Sequence, residues 1–304
     1  VPPSIVNLFT GIPGIGQKYV SFQAEKQVTG EGNKCSLKLY NLSETQINVS
    51  SFRFNQNTTK LVYGAFIIVR AGYVETGLLS MFTGVITDGY TTREGADYVT
   101  YIDAVNISSE IKKLSVTYIA PKGQPYSKTI VDLIASVGGI IAADQLSQIS
   151  ARLAGEIHEE NESYSGSLGD ALKVFQKSFN KNIDIYFDED GAGFVPIGKT
   201  VPGRPLQLFT PKSIVGAVVG GQLIGSPRST RRGLDFDCTL NASIRLNDPV
   251  KVISELTARL AVFDPGTGFQ KLSLLYVANV NHSGDNRDGE FKTSISAYYP
   301  YLVN

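Results

Sequence analysis

The sequence predicts a mainly β chain, two related small β-barrels joined by an α+β module, and three observations carry that reading. The first is composition: Tyr (15), Phe (15) and Gly (30) are plentiful and Val, Ile and Thr are frequent, the usage of strands joined by turns. The second is a near-repeat. FTGVITDGYTTREGADYVTYIDA at residues 82–104 and YVANVNHSGDNRDGEFKTSISA at 276–297 each run from an apolar strand into a polar, Gly-containing stretch. Each then passes an Arg-acid-Gly triplet (Arg93-Glu94-Gly95, Arg287-Asp288-Gly289) and an alternating strand ending in Ala104 or Ala297. Turn chemistry alone recruits Gly, Asp and Asn to such places, so the match is open to two readings, a duplicated β-domain or two independent hairpins. The third is a change of periodicity from strand-like to helix-like and back, which divides the 304 residues into 1–108, 109–205 and 206–304.

In the first segment, residues 19–28, 34–42, 61–73, 78–86 and 97–105 are strands divided by Gly, Asn and Thr-rich turns, enough for one small barrel or sandwich. The run AFIIVRAGY at 65–73 is apolar on both faces before Arg70, the pattern of a central strand. In the middle segment Ile130, Leu133, Ile134 and Val137 recur at helical spacing, with Ser127 as N-cap and Gly138-Gly139 as the stop. SLGDALKVFQKSFN makes a second helix, with Leu168, Leu172, Phe175 and Phe179 as an apolar stripe and Asp170, Lys173 and Lys177 facing out. Strands at 183–187 and 193–197 flank Asp188-Glu189-Asp190-Gly191, whose residue types suit a hairpin turn. Pro202-Gly203-Arg204-Pro205 reads as a linker, after which strands at 206–209, 235–246, 250–256, 271–280 and 290–299 return the chain to β.

Chemistry is sparse. The 28 Lys+Arg balance the 28 Asp+Glu, which leaves no strong field to hold nucleic acid or an anionic membrane. Cys35 and Cys238 stand far apart outside any CxxC pair and read as two buried thiols rather than a zinc site or a disulfide framework. His158, read as exposed in the acidic stretch EIHEENE, and His282 are the only histidines, and neither lies in HExxH or another ligand spacing. The clustered carboxylates at 156–162 and 188–190 fall in polar turns and read as solvated rather than as a glycosidase pair, and the second cluster lacks the loop of an EF-hand. GxSxG, Walker A and Rossmann fingerprints do not occur, and GIPGIGQ at 11–17 reads as a flexible or docking arm. The sequons at Asn41, Asn48, Asn57 and Asn106 carry little information. The N-terminal stretch has no basic region followed by an apolar core, and no run of about 18 apolar residues occurs, so a soluble chain is expected. One basic cluster, Arg228, Arg231 and Arg232 in GSPRSTRRG, reads either as a solvated loop or as an anchor for an acidic neighbouring surface, since no aromatics interleave as a nucleic-acid platform requires.

The order of several short motifs resembles the baseplate hub proteins of tailed bacteriophages, including those of phage Mu and other contractile-tail phages. VRAGY at 69–73 and GLLSMFTGVITD at 77–88 are similar to that family's strand-Ala-Gly-Tyr-turn-Leu-Phe-Gly-Ile pattern, and YSGSLGDALKVF followed by a strand pair is similar to its middle part. In LIGSPRSTRRGLDFDCTLNASIRLNDPVKV the matching positions are Gly225, Pro227, Gly233, Leu240, Asn241, Asp248, Pro249 and Val250, although Asn247-Asp248-Pro249 stands where the family often has Pro-Gly-Asp. NHSGDNRDGEFKTSISAY resembles the family's end through His282, Gly284, Asp285 and Gly289. The resemblance implies a homotrimer whose two barrels per subunit alternate around a channel with pseudo-sixfold symmetry. Its partners would be the trimeric tail spike on one face and the tail tube or a distal tube-end protein on the other, with a tape measure protein as a further partner. DNA would pass through the channel without specific binding. The expected place is the virion tail baseplate, assembled in the host cytoplasm, with no catalytic residues, no cofactor, no metal and no membrane contact. The alternative is a tail-associated cell-wall-degrading enzyme, against which stands the expectation that two barrels and the middle module leave no residues for a lytic domain.

Overall fold

The computed structural model describes residues 19–28, 33–42, 66–73, 77–106, 111–139, 141, 149–151, 153–178, 183–188, 191–196, 204–211, 220–254, 257, 262–263, 270–271, 274–286 and 291–299. In the first segment β1 (Val20–Gln27), β2 (Lys34–Tyr40), β3 (Phe66–Ala71), β4 (Leu79–Glu94) and β5 (Asp97–Asn106) pair antiparallel in the order β3-β4-β5-β2-β1. Alternation decides which face each strand buries: Val20, Phe22 and Ala24 on β1 and Cys35, Leu37 and Leu39 on β2 point inward. AFIIVRAGY departs from its expected place, because among the described residues β3 ends the strand order and pairs with β4 alone. Residues 61–65 and the 11–17 arm lie outside the described residues.

The middle segment holds β6 (Ser115–Ala120), α1 (Tyr126–Ser136), β7 (Glu162–Ser167), α2 (Leu168–Ser178) and the hairpin β8 (Ile183–Asp188) and β9 (Gly191–Pro196). The antiparallel pair β6–β7 is an addition to what the sequence pattern predicted. Ser127 is not the N-cap of α1: Pro125 occupies that position at φ −63°, ψ 136°, and Tyr126 already lies in the helix with its side chain buried. The stop is as expected, with Gly138 at φ +73° and the Gly139 N–H donating to Ile134 O at 2.9 Å. α2 is capped by Ser167, whose Oγ accepts the Asp170 N–H at 3.1 Å and donates to the Asp170 carboxylate at 2.7 Å. Leu168, Leu172 and Phe175 of its stripe are buried against α1, while Phe179 lies outside the described residues.

In the last segment β10 (Gln207–Thr210), β11 (Gly220–Ser229), β12 (Gly233–Thr239), β13 (Pro249–Val252), β16 (Leu275–Asp285) and β17 (Lys292–Tyr298) form a closed six-stranded barrel, with β14 (Val262–Phe263) and β15 (Gln270–Lys271) as a separate pair. The order β13-β10-β11-β12-β17-β16 returns to β13 through Pro249 opposite Tyr276 and Val250 opposite Leu275. Two expectations are corrected. Residues 240–246 leave the strand predicted at 235–246, because Asn241 and Asn247 terminate it: the Asn241 side chain accepts the Ser243 N–H, and Asn247 adopts φ +62°. Much of the stretch read as an Arg-rich loop is strand β11, whose pairing slips between Ile224 and Arg228 over Gly225, itself at φ +71°.

Five strands of each β segment share one order, with β10 of the second barrel standing apart from it. Reading β1, β2, β3, β4 and β5 against β11, β12, β13, β16 and β17, the first sheet runs β3-β4-β5-β2-β1 and the second β13-β16-β17-β12-β11, antiparallel at every step. The two hairpins of the near-repeat also share a bulge. Ala104 faces Ile86 and Asp103 faces Asp88, which leaves Thr87 extra; Ala297 faces Val277 and Ser296 faces Asn279, which leaves Ala278 extra. Gly95 turns the first hairpin at φ +62°, whereas the second triplet at 287–289 lies outside the described residues.

The halves are joined by β1 and β16, which pair from Ser21 opposite Asp285 to Gln27 opposite Asn279 and make one continuous eleven-strand order. Across this seam Cys35, Ala24, His282, Thr293 and Cys238 stand side by side on β2, β1, β16, β17 and β12, all buried. Both thiols are free and buried, as expected, and burial pushes the Cys238 thiol up to about 12. Tyr73 ties the halves a second time, its hydroxyl accepting the Leu240 N–H at 3.1 Å and donating to Phe291 O at 3.3 Å. His282 is fully buried, with Nδ1 3.0 Å from Thr293 Oγ1 and no partner for Nε2. Burial, aided by the buried Lys26 ammonium, lowers its pKa well below the ordinary value, so the folded ring stays neutral. Above about pH 6.5 the imidazole is neutral folded or unfolded; below it the unfolded chain takes a proton that the folded chain refuses, and stability falls by up to about 1.4 kcal/mol per pH unit. Thermal melts between pH 7.5 and 5 are therefore expected to show a steeper loss for the native chain than for His282→Gln, and parallel curves would contradict this account.

Candidate interaction surface

The chain offers a polar sheet face and two polar clasps. On the seven strands from β12 to β4 the residues opposite the core are small and hydrogen-bonding. One row runs Thr239, Lys292, Ser283, Gln23, Ser36, Asp103 and Asp88 across β12, β17, β16, β1, β2, β5 and β4. Glu25, Asp235, Asp237, Asn279, Asn281, Ser294 and Ser296 line a shallow groove of about 220 Å³ in this face. Charges of both signs are interspersed: Lys292 pairs with Asp237 at 3.3 Å, and Lys38 lies 5.2 Å from the centre of the Tyr101 ring. Tyr90 stacks on Tyr101 at 4.9 Å, and Tyr101 donates its hydroxyl proton to Glu94. Such a face has no basic stripe to neutralise successive phosphates.

Arg228, Arg231 and Arg232 border this face and are exposed. Arg228 stands on β11 opposite Asp235, and the other two sit in the β11–β12 turn beside Asp235, Ser296 and Tyr298. Their neighbourhood is fixed by Gly233, where an added Cβ would meet Ala297 O at 1.9 Å, so only glycine lets β12 run this close to β17.

The first clasp was missed in the sequence because Arg204 lies in what reads as a linker. Its guanidinium donates to Leu246 O at 2.9 Å, to Asp248 Oδ1 at 3.1 Å and to the Tyr186 hydroxyl at 3.4 Å. Asp248 also accepts the Arg245 N–H at 2.9 Å; burial pushes its carboxyl up, against the pull of that N–H and of Arg204. Tyr186 of the β8–β9 hairpin packs in the core of the six-stranded barrel beside Phe209 and Val250, and Gly193 yields the room, since a Cβ there would meet the Tyr186 ring at 2.3 Å. The clasp thus fixes the middle module to the second barrel.

The second clasp corrects the expected exposure of His158. The ring is 1% exposed, packed 3.9 Å from the Tyr126 ring and edge-on to Phe175 at 5.7 Å, because its backbone bonds to Gln124 and Gly123 and draws it under α1. Nε2 lies 2.8 Å from Thr129 Oγ1, and Nδ1 lies 3.2 Å from Glu162 Oε1, within ion-pair reach but off the line of a hydrogen bond. Hydroxyl, imidazole and carboxylate in a row have the outline of a nucleophilic triad. The surroundings do not suit that chemistry: Thr129 is fully buried on α1 and already accepts a hydrogen bond from Gln124 at 2.8 Å, and Glu162 is held by the Tyr126 hydroxyl at 3.0 Å. Among the described residues no cluster of His, Cys, Asp and Glu is placed to hold a metal, and no helix is long and apolar enough to cross a membrane.

No protein-family model matches the chain, and no curated protein matches it. Solved structures do. A 43 kDa tail protein of prophage MuSo2 from Shewanella oneidensis is similar over 93% of this chain and 98% of its own, with a TM-score of 0.52 at 10% identity. A tail protein from Neisseria meningitidis MC58 is similar over 93% and 96%, with a TM-score of 0.52 at 8% identity. The E. coli c3393 protein, a component of the type VI secretion system described as structurally similar to the T4 bacteriophage tail proteins gp27 and gp5, is similar over 95% and 76%, with a TM-score of 0.53 at 11% identity. The chain has the fold of phage tail proteins. At such identities the likeness speaks for the backbone, and the side chains above must speak for themselves.

Arg204→Met leaves the buried Asp248 carboxylate without its cation, and denaturant unfolding is expected to show a loss of about 3 kcal/mol, partly restored when Asp248→Asn is added. A loss under about 0.5 kcal/mol would mean that the clasp contributes little.

Proposed function

We propose that the chain is the central hub of a phage tail baseplate, a structural protein of the virion. Three copies form a ring in which the β unit of residues 1–108 and that of 206–304 alternate, with the module of 109–205 set against the second. The ring adapts a sixfold tail tube to a trimeric spike and surrounds the channel through which DNA passes. One observation carries the reading: a single chain holds the same five-strand order twice, with the bulge of the closing hairpin in the same place, so three chains present six near-equivalent units. The tail-protein fold supports it. The polar face of mixed charge suits a channel wall that DNA slides past without being held. Arg228, Arg231 and Arg232 serve as partner contacts. The spike, the tube or a distal tube-end protein and the tape measure are the partners, and assembly takes place in the host cytoplasm.

Catalysis is not part of this reading, since the constellation nearest to an active site is sealed beneath α1. The purified chain is expected to cleave no peptidoglycan, and His158→Ala is expected to lower stability by about 2–4 kcal/mol through the lost clasp and ring packing. Cleavage that disappears in His158→Ala would overturn the structural reading in favour of a lytic enzyme. Images of the assembled baseplate are expected to show three copies per ring with pseudo-sixfold density around the channel; six copies per ring would rule the hub out.

A further inference from the structure

The polar sheet face carries an aromatic patch, and two pairs of opposed carboxylates frame it. Lys38, Tyr101 and Tyr90 stand side by side on β2, β5 and β4, on the side away from the core. The Lys38 ammonium lies 5.2 Å from the centre of the Tyr101 ring, and Tyr90 is stacked on that ring at 4.9 Å with the planes 13° apart. Ammonium, ring and ring form a column that ends at Tyr90, which is 51% exposed. One row farther along the same face stands Tyr40, with the Tyr19 ring against it at 4.3 Å.

The carboxylates stand above and below this column. Asp88 faces Asp103 on one side of it and Glu94 faces Asp97 on the other, and all four are exposed. Like charges directly opposite on neighbouring strands destabilise a sheet. Hydrogen bonds leave that repulsion in place: Asp88 accepts the Gly89 N–H at 2.8 Å, Asp103 the Ser36 hydroxyl at 2.6 Å, Asp97 the Asn41 amide at 2.6 Å and Glu94 the Tyr101 hydroxyl. Among the described residues none of the four makes an ion pair. Arg93, the only cation between Asp88 and Asp103 in the sequence, stands opposite Tyr98 and donates Nε to Gly95 O at 3.2 Å.

We infer that this patch docks an arginine-bearing segment of a second protein, with a guanidinium laid on the free face of Tyr90 between Asp88 and Glu94. A guanidinium is the group that fits. It is planar, so it continues the stack of rings, and it is weakly hydrated, so it leaves water for an aromatic face at less cost than an ammonium. The opposed carboxylates then gain the counter-charge that they lack, and they direct the segment's approach. An aromatic centre with a charged rim is also how contact surfaces concentrate their affinity. A second copy fits less well, since units set side by side in a ring meet through their flanks and leave a sheet face free; that choice alone rests on the ring reading.

The test uses the peptide Gly-Arg-Gly-Arg-Gly with a neutral fluorophore, followed by anisotropy against the whole chain at about 50 mM salt, where exposed charges are weakly screened. Saturable binding is expected, about three- to tenfold weaker for Tyr90→Ala, close to native for Tyr90→Phe, and weaker for a lysine peptide of the same length. Asp88→Asn is expected to weaken binding about threefold, while Asp235→Asn, which removes the same charge from β12 at the far side of the face, leaves it unchanged. Tyr90 and Asp88 are exposed, so these changes leave the cores untouched. Equal weakening by the two aspartate variants would reduce the binding to a general attraction for cations and overturn the inference, as would native binding by Tyr90→Ala. A native mass that falls from three chains to one in Tyr90→Ala would make the face a contact between copies and overturn it as well. A chain that is monomeric at every concentration yet binds the peptide in this pattern overturns the ring reading and leaves the inference standing.

Discussion

The rest of the structure depends on the hydrogen-bonded seam between β1 and β16. These strands lie more than 250 residues apart along the chain; the Val20 N–H reaches the Asn286 side chain at 2.9 Å across a separation of 266 residues. Closing so long a loop costs only logarithmically more than closing a short one, so the separation is tolerable once both strands exist. The seam fixes orientation because side chains alternate. A slip of one residue would turn Phe22, Ala24 and Lys26 out of the interior and leave Ser21, Gln23 and Glu25 facing the cores. His282 sits in that interior row between the two cysteines, so a buried imidazole stands where both β units meet.

Around the seam, polar clasps specify geometry where apolar packing alone would leave freedom. Tyr73 crosses from the first β unit to the backbone at Leu240 and Phe291, while Arg204 gathers the β8–β9 hairpin and the turn at Asp248. Hydrophobic contact is non-directional, so Tyr186 among Phe209, Val250 and Leu275 could rotate without much loss; a guanidinium with three fixed acceptors permits one arrangement. The module is thereby attached to the second barrel by a directional contact as well as an apolar one. The clasp at Arg204 thereby limits how far the module can turn against the second barrel.

How much was legible in the sequence follows from which signals are local. Strands with clean alternation, such as Val20–Gln27 and Lys34–Tyr40, and the apolar stripe of α2 were legible because their periods stand in the sequence itself. The near-repeat at 82–104 and 276–297 was legible as a hairpin pair, but its shared bulge was not, since an extra residue is defined only against a partner strand. β11 was read as a loop because Gly225, Pro227 and three arginines mimic turn chemistry, and only its pairing with β12 reveals a bulged strand. Arg204 was hidden for the same reason: two flanking prolines announce a linker, and its acceptors lie 18, 42 and 44 residues away. His158 looked exposed among glutamates because local charge predicts solvation, whereas the backbone bonds to Gln124 and Gly123 that bury it are tertiary.

Both histidines are buried, and burial decides what each ring can do. A catalytic imidazole must reach substrate and exchange protons near neutral pH; His282 is held neutral inside the seam and His158 lies under α1 between Tyr126 and Phe175. Each is instead placed where a ring with two nitrogens can satisfy a buried hydroxyl, that of Thr293 in one case and Thr129 in the other. The polar groups that do meet solvent are of another kind, Ser, Asn, Gln and Thr interleaved with charges of both signs, spread over a sheet rather than gathered in a cleft. On this face cations stand beside a carboxylate or an aromatic ring at two places, Lys292 with Asp237 and Lys38 with Tyr101, which weakens the pull of either on a polyanion. The arginines at the end of β11 are exposed, with Arg228 on the strand opposite Asp235.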